Sequence, residues 1–168
     1  MVFSNNTLTL PSTNKYFQQM KKTLLLSAEP VNFDFGLLLI RLIIGLLMAF
    51  YGYEKLIHFT EMSESDFWSK NVNFIGMSGK ISLGLTIFAE LFCSLLLILG
   101  LFTRLSLVFL LFCMGYIFTV VFPFEILSKG DNGYKFNDAF VYFVIYLGLF
   151  FTGSGKYSLD AKLLFKEK

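Results

Sequence analysis

Four long apolar runs, residues 35–53, 81–102, 105–124 and 136–152, leave few folds open to this chain. A helix crossing a hydrocarbon core of about 30 Å needs about 20 apolar residues, with a range of roughly 17–25, and all four runs fall within that range or at its edge. In lipid every backbone N–H and C=O must be satisfied inside the protein, which admits helices or closed barrels. The runs are continuous rather than alternating, so barrel strands are excluded. The expected fold is therefore all-α, a four-helix transmembrane bundle. The composition agrees: 55% of the 168 residues are hydrophobic and 15% charged, against about 25% charged in soluble domains.

Residues 1–34 are mixed and polar and lack an apolar core followed by a small-residue cleavage site, so this segment is expected to stay attached. Within it Tyr16, Phe17, Met20 and Leu24 recur at helical spacing, which suits a short amphipathic helix on an anionic leaflet; a solvated tail is the alternative. The membrane domain is read as 35–161 and a short tail as 162–168. Lys15, Lys21, Lys22, Arg104, Lys156, Lys162, Lys166 and Lys168 share one side of such a bundle, whereas Lys55, Lys70, Lys80, Lys129 and Lys135 share the other. The richer side is expected to be cytoplasmic, with both termini on it. That leaves two longer outer loops, 54–80 and 125–138, the second with a turn signal from Gly130 to Gly133. The second and third spans are separated by little more than Thr103 and Arg104, a tight hairpin.

Charges inside the spans are the candidates for function. Arg41 lies about 9 Å inside the first span at 1.5 Å per residue, a depth from which its side chain either snorkels to lipid phosphates or turns into the bundle. Glu90 lies about 20 Å from the cytoplasmic end of the second span, and a short carboxylate at that depth cannot snorkel. It should face the interior beside a cation or a hydrogen-bond donor. Arg41, Lys55 at the outer end of the first span, and the phenols of Tyr51, Tyr116, Tyr142 and Tyr146 are the possible neighbours. These residues form a candidate polar core. Cys93 and Cys113, equidistant from the hairpin, read as buried inert thiols. His58 is the single histidine, so one chain cannot supply bis-histidine haem ligation. Neither a nucleotide loop nor a basic patch for nucleic acid is present: Gly153-Ser154-Gly155-Lys156 follows a helix and lacks the phosphate-loop spacing.

Several of these features occur together in one order. They are Arg41 and Gly45 in the first span, the spacing from Gly52 to Lys55, Glu90 in the second, Gly100-Leu101-Phe102-Thr103-Arg104 at the hairpin, and Gly153-Ser154-Gly155-Lys156-Tyr157-Ser158-Leu159-Asp160 at the end. In these the chain resembles the DoxX family of small four-span membrane proteins, over residues 35–161. Family members often carry His before the glycine that ends the first span, where this chain has Tyr51. They often open the fourth span with an acid, where it has Asn137 and Asp138. The family's prototype is similar to a membrane subunit of a thiosulfate to quinone oxidoreductase. The resemblance therefore implies an integral protein of the bacterial cytoplasmic (inner) membrane and an accessory subunit of a larger complex. A quinone is its candidate ligand, and no cofactor is covalently bound.

The residues themselves leave three functions open. The first is a quinone-linked redox subunit whose core of Arg41, Tyr51, Lys55, Glu90, Tyr116 and Tyr142 binds the quinone or handles its proton, while a partner carries the electrons. The second is a non-redox scaffold or assembly protein. The third is a carrier of small solutes or lipid, against which the absence of broken helices and inverted repeats argues. Phe67 and Trp68 in the first outer loop are candidate contacts with another membrane protein. A loop lying on the bilayer with its aromatics among the headgroups is the alternative.

Overall fold

The computed structural model describes residues 32–164 apart from 73, 78, 131 and 132. The chain divides between Phe33 and Asp34, and the fold below is that of the second unit, Asp34–Lys168. The amphipathic helix expected around Tyr16–Leu24 and the end of the tail lie outside the described residues.

Among the described residues three helices are long and apolar enough to cross a membrane: α1 (Phe33–Ile57), α3 (Gly79–Leu99) and α4 (Thr103–Val121). The fourth apolar run forms α5 (Asp138–Thr152), at 15 residues shorter than a usual span. Asn137 starts it, its side-chain oxygen accepting from the Ala139 N–H at 2.9 Å, while Asp138 lies in the first turn. Both suit a helix N-terminus, whose free N–H groups and dipole favour an acceptor and a negative charge. Shorter elements lie between and after these helices, among them α2 (Phe59–Glu64) and α6 (Leu159–Leu164), and the antiparallel strands β1 (Leu127–Gly130) and β2 (Gly133–Phe136), paired Leu127 to Phe136.

Small residues let the helices approach. Gly45, Ala49 and Gly52 lie on the buried face of α1, and Ser82, Thr86, Ala89 and Ser94 on that of α3. Such stripes matter in lipid, where close packing replaces the hydrophobic drive between helices. Backbone meets backbone at Gly52, where a Cβ would stand 2.6 Å from the Leu91 nitrogen and 2.9 Å from the Glu90 carbonyl carbon. The α3 backbone it touches is not regular, because residues Phe88–Cys93 widen into a π-helical turn. Such turns inside α-helices frequently mark functional positions. Lipid-facing surfaces carry the opposite residues, with Phe50, Phe92, Phe109 and Phe151 all exposed.

The tight hairpin is present. Gly100 takes φ +66°, with its N–H on the Leu97 carbonyl and the Leu101 N–H on the Leu96 carbonyl, a Schellman ending that closes α3. The long loop between α1 and α3 folds inward. Trp68, Val72 and Phe74 are buried, the Phe74 N–H donates to Ser82 Oγ at 3.1 Å, and the Phe74 ring lies 4.4 Å from that of Tyr116.

Gly52→Val should force α1 off the π turn, because a side chain there meets backbone rather than a flexible group. We expect a loss of about 1–3 kcal/mol, read as a lower unfolding temperature in detergent. Gly148→Ala, at a glycine with nothing within 4 Å, should leave that temperature close to wild type.

Candidate functional site

The two intramembrane charges belong to different ends of the bundle. At the end where the long loops lie, Glu90 projects from the π turn of α3 and its side chain is 3% exposed. Lys55, from the last turn of α1, donates to Glu90 Oε2 at 2.5 Å. Of the neighbours open from sequence the structure selects this one. Two cooperating features place it: Gly52 brings α1 against the backbone at Glu90, and Lys55, three residues further on, lies on the same helix face. A carboxylate buried among helices without its cation would be strongly unfavourable, so each charge makes the other tolerable.

The pair opens into a cavity of ≈ 250 Å³. Tyr51 and Tyr142 flank it, their rings edge to face at 6.2 Å, and the Lys55 ammonium stands 5.6 Å from the centre of the Tyr51 ring. Met48, Met114, Ile117 and Phe122 supply apolar wall, and Lys135, Asn137 and Asp138 line it where β2 runs into α5. The cavity therefore combines a hydrogen-bonded ion pair, two aromatic rings and an apolar lining.

The structure brings together Tyr51, Lys55, Glu90 and Tyr142 of the sequence candidates. Tyr116 turns elsewhere, packing on Phe74 of the loop between α1 and α3. Arg41 is a correction to that core: of the two courses open to it, it turns inward, 0% exposed, but it does not meet Glu90. Its guanidinium donates to the Ser154 carbonyl and, at 3.0 Å, to the Tyr157 carbonyl. The segment after α5 folds back over the hairpin end and hands Arg41 two carbonyls, a partner that depth arithmetic over four spans could not reveal. The same segment caps α4: Asp160 accepts from the N–H groups of Phe102 and Thr103 at 2.8 and 2.9 Å, and its own N–H donates to the Gly100 carbonyl. At the far side Asp34 accepts from the Lys156 N–H at 3.0 Å and pairs with its ammonium at 3.5 Å. Arg41 thus holds a structural clamp.

Trp68 is a second correction. At 5% exposure it is part of the core, with the Phe67 ring edge-on to it at 5.6 Å, so it anchors the loop to its own bundle. Phe67, 40% exposed, keeps a free face. Sequence reasoning missed Met48, Met114, Ile117, Phe122, Lys135, Asn137 and Asp138 as cavity residues. The one available signal was the acid-and-amide pair Asn137–Asp138 opening the last apolar run, which places a helix start beside the ends of α1 and α4 that line the cavity.

The family model of DoxX matches residues 36–122. The chain belongs to the DoxX family. With three helices of membrane-spanning length among the described residues it is an integral membrane protein whose exposed apolar belt meets lipid. The match contains Arg41, Gly52, Lys55 and Glu90, so both the clamp arginine and the ion pair fall within it. The β-hairpin, α5 with Tyr142, and the clamp segment up to Asp160 lie beyond the matched residues. No curated protein and no solved structure matches the chain.

Removing one member of the ion pair strands the other. Lys55→Met should destabilise the protein by about 3–5 kcal/mol, the range for breaking a buried pair. The double variant Lys55→Met/Glu90→Gln should recover most of that loss. Thermal unfolding of the three proteins in one detergent checks it, and a double variant no better than Lys55→Met would contradict the pairing.

Proposed function

We propose that this protein is a membrane accessory subunit of a larger assembly, with a quinone ring as the ligand of the Lys55–Glu90 cavity. The observation supporting this reading is the donor set: an ammonium and a carboxylate in contact, two phenol rings at their side, and an apolar wall behind them. The residues fit a quinone head group. A volume of ≈ 250 Å³ lies just under the range of about 300–1,000 Å³ for sites of drug-sized ligands, a size for one substituted ring rather than a whole amphiphile. When bound, a quinone supplies reversible chemistry of two electrons and two protons.

In this reading Lys55 and the phenols of Tyr51 and Tyr142 hydrogen-bond the ring oxygens, and the ring planes of the two tyrosines orient the head group. Glu90 would relay one of the two protons that quinone reduction consumes, its carboxylate taking the proton up and passing it on, next to an ammonium that stabilises the ionised form in between. Met48, Met114 and Ile117 keep water away from the pair. A partner protein supplies the electrons, and Phe67 on the first outer loop is the proposed contact with it.

We also place α5 across the bilayer as the fourth span, with both termini cytoplasmic and the β-hairpin outside, in the bacterial inner membrane. A helix of 15 residues covers about 22 Å, short of a core of about 30 Å. The aromatic residues Phe124, Tyr134 and Phe136 around its loop end suit the interface that such a span must reach.

Purification from the native membrane in mild detergent tests the function. Extracted quinone should accompany the wild-type protein and its copurifying partners, whereas Glu90→Gln should keep the partners and lower quinone content and quinone-linked turnover. Partners retained with no quinone in either protein would favour a scaffold.

For topology, cysteines replacing Tyr134 and Lys162 in a Cys93→Ala/Cys113→Ala background should react with an impermeant reagent from opposite faces. Labelling from one face would overturn the four-span arrangement.

A further inference from the structure

The cavity has a second boundary besides its loop end. Tyr51 lines it, yet the same residue is 43% exposed on the lipid-facing side of α1. There it also borders a shallow groove formed by Leu47, Phe50, Tyr53, Glu54 and Ile57. Tyr51 therefore belongs to the lining of both the ion-pair cavity and a groove on the exposed face of α1.

The two seams of α1 are built differently. Against α3 the contact is backbone to backbone at Gly52, which has no side chain to move aside. Against α5 it is ring to ring, Tyr51 on Tyr142, with interplanar angle 86°. A seam closed by side chains opens by rotamer change, on a timescale of ps–ns at exposed positions, whereas the glycine seam cannot open without moving helices. Direction matters as well. The groove runs from Ile57 near the loop end to Leu47, about 15 Å deeper along α1, and the polar pair lies toward the shallow end of that path. This is the orientation of an amphiphile in one leaflet, polar end at the interface and tail toward the bilayer centre.

We infer that the site takes its ligand sideways from the bilayer, through the Tyr51–Tyr142 seam, and that the ligand is an amphiphile with an oxygen-bearing ring at Lys55–Glu90 and an apolar tail along the Leu47–Phe50 groove. The inference rests on the ring-binding reading of the cavity and adds the route, the tail and the residues that hold it. Tyr51, whose phenol bonds the ring in that reading, is then also the side chain that swings aside to admit the ligand.

The experiment uses the full chain in phospholipid nanodiscs. The probe is a dimethoxy-methyl-benzoquinone with a decyl chain ending in an alkyl diazirine, irradiated and mapped by peptide mass spectrometry. Adducts should concentrate on Leu47 and Phe50, disappear with excess untagged decyl quinone, and be lost in Leu47→Trp, which fills the groove from the lipid side. Adducts that the untagged quinone does not displace, or that spread equally over Phe92, Phe109 and Phe151, would overturn the route. A second readout separates this from the ring site: the tail-less quinone should by itself protect Lys55 from acylation by a small permeant ester, in wild type and in Leu47→Trp alike. Protection without groove adducts would leave the ring site standing and sink the lateral route, and neither protection nor adducts would sink both.

Discussion

A carboxylate in the middle of a membrane bundle constrains everything around it. Glu90 cannot reach water, so a cation must come to it, and the cation that comes is on a neighbouring helix. That requires α1 and α3 to approach until backbone meets backbone, which only a glycine at position 52 allows. The local widening of α3 at Phe88–Cys93 is part of the same solution, since it occurs in the stretch that carries Glu90 and lies against Gly52. Once the pair is made, the helices cannot slide or rotate without exposing a charge to apolar surroundings. The Lys55–Glu90 contact is thus both the polar floor of the cavity and the register pin of the first two spans.

The opposite end of the bundle uses charge differently. Arg41 and Asp160 bind main-chain groups, the arginine two carbonyls and the aspartate two N–H groups at the start of α4. These are the backbone atoms that a tight hairpin and a chain leaving the membrane would otherwise leave unpaired. Gly100 belongs to this clamp, because a Cβ there would strike Ser158 and the Arg41 guanidinium. The two ends divide the work. One secures the backbone of the hairpin and the closing segment, and the other gathers side-chain chemistry around a cavity.

Both intramembrane charges could be read as important from the linear chain, but only one could be read correctly. Glu90 was legible because its short side chain at great depth leaves one physical outcome, an interior partner. Arg41 was not, because a long side chain nearer the span end has several outcomes, and the partner it takes is the backbone of residues more than a hundred positions away. Trp68 illustrates the same limit. An aromatic pair in a loop looks identical in sequence whether it meets lipid, a partner or its own bundle. Trp68 turns inward because Phe67–Asn71 and Phe74–Gly76 coil into short turns that bring Val72 and Phe74 with it.

By itself the sequence determined the solvent, the helices and the family. Apolar runs of this length have one stable state in lipid, and that argument needs nothing beyond local composition and the cost of an unpaired backbone group. It also determined that Glu90 faces inward. Only the tertiary structure decided which cation it meets, where Arg41 goes, and that Tyr51 and Tyr142 close one side of a cavity. The reason is that helix periodicity sets which face a residue lies on, whereas the rotation, stagger and distance between helices follow from packing. Here that packing rests on Gly45, Gly52 and Gly100, where a missing side chain lets one segment close on another.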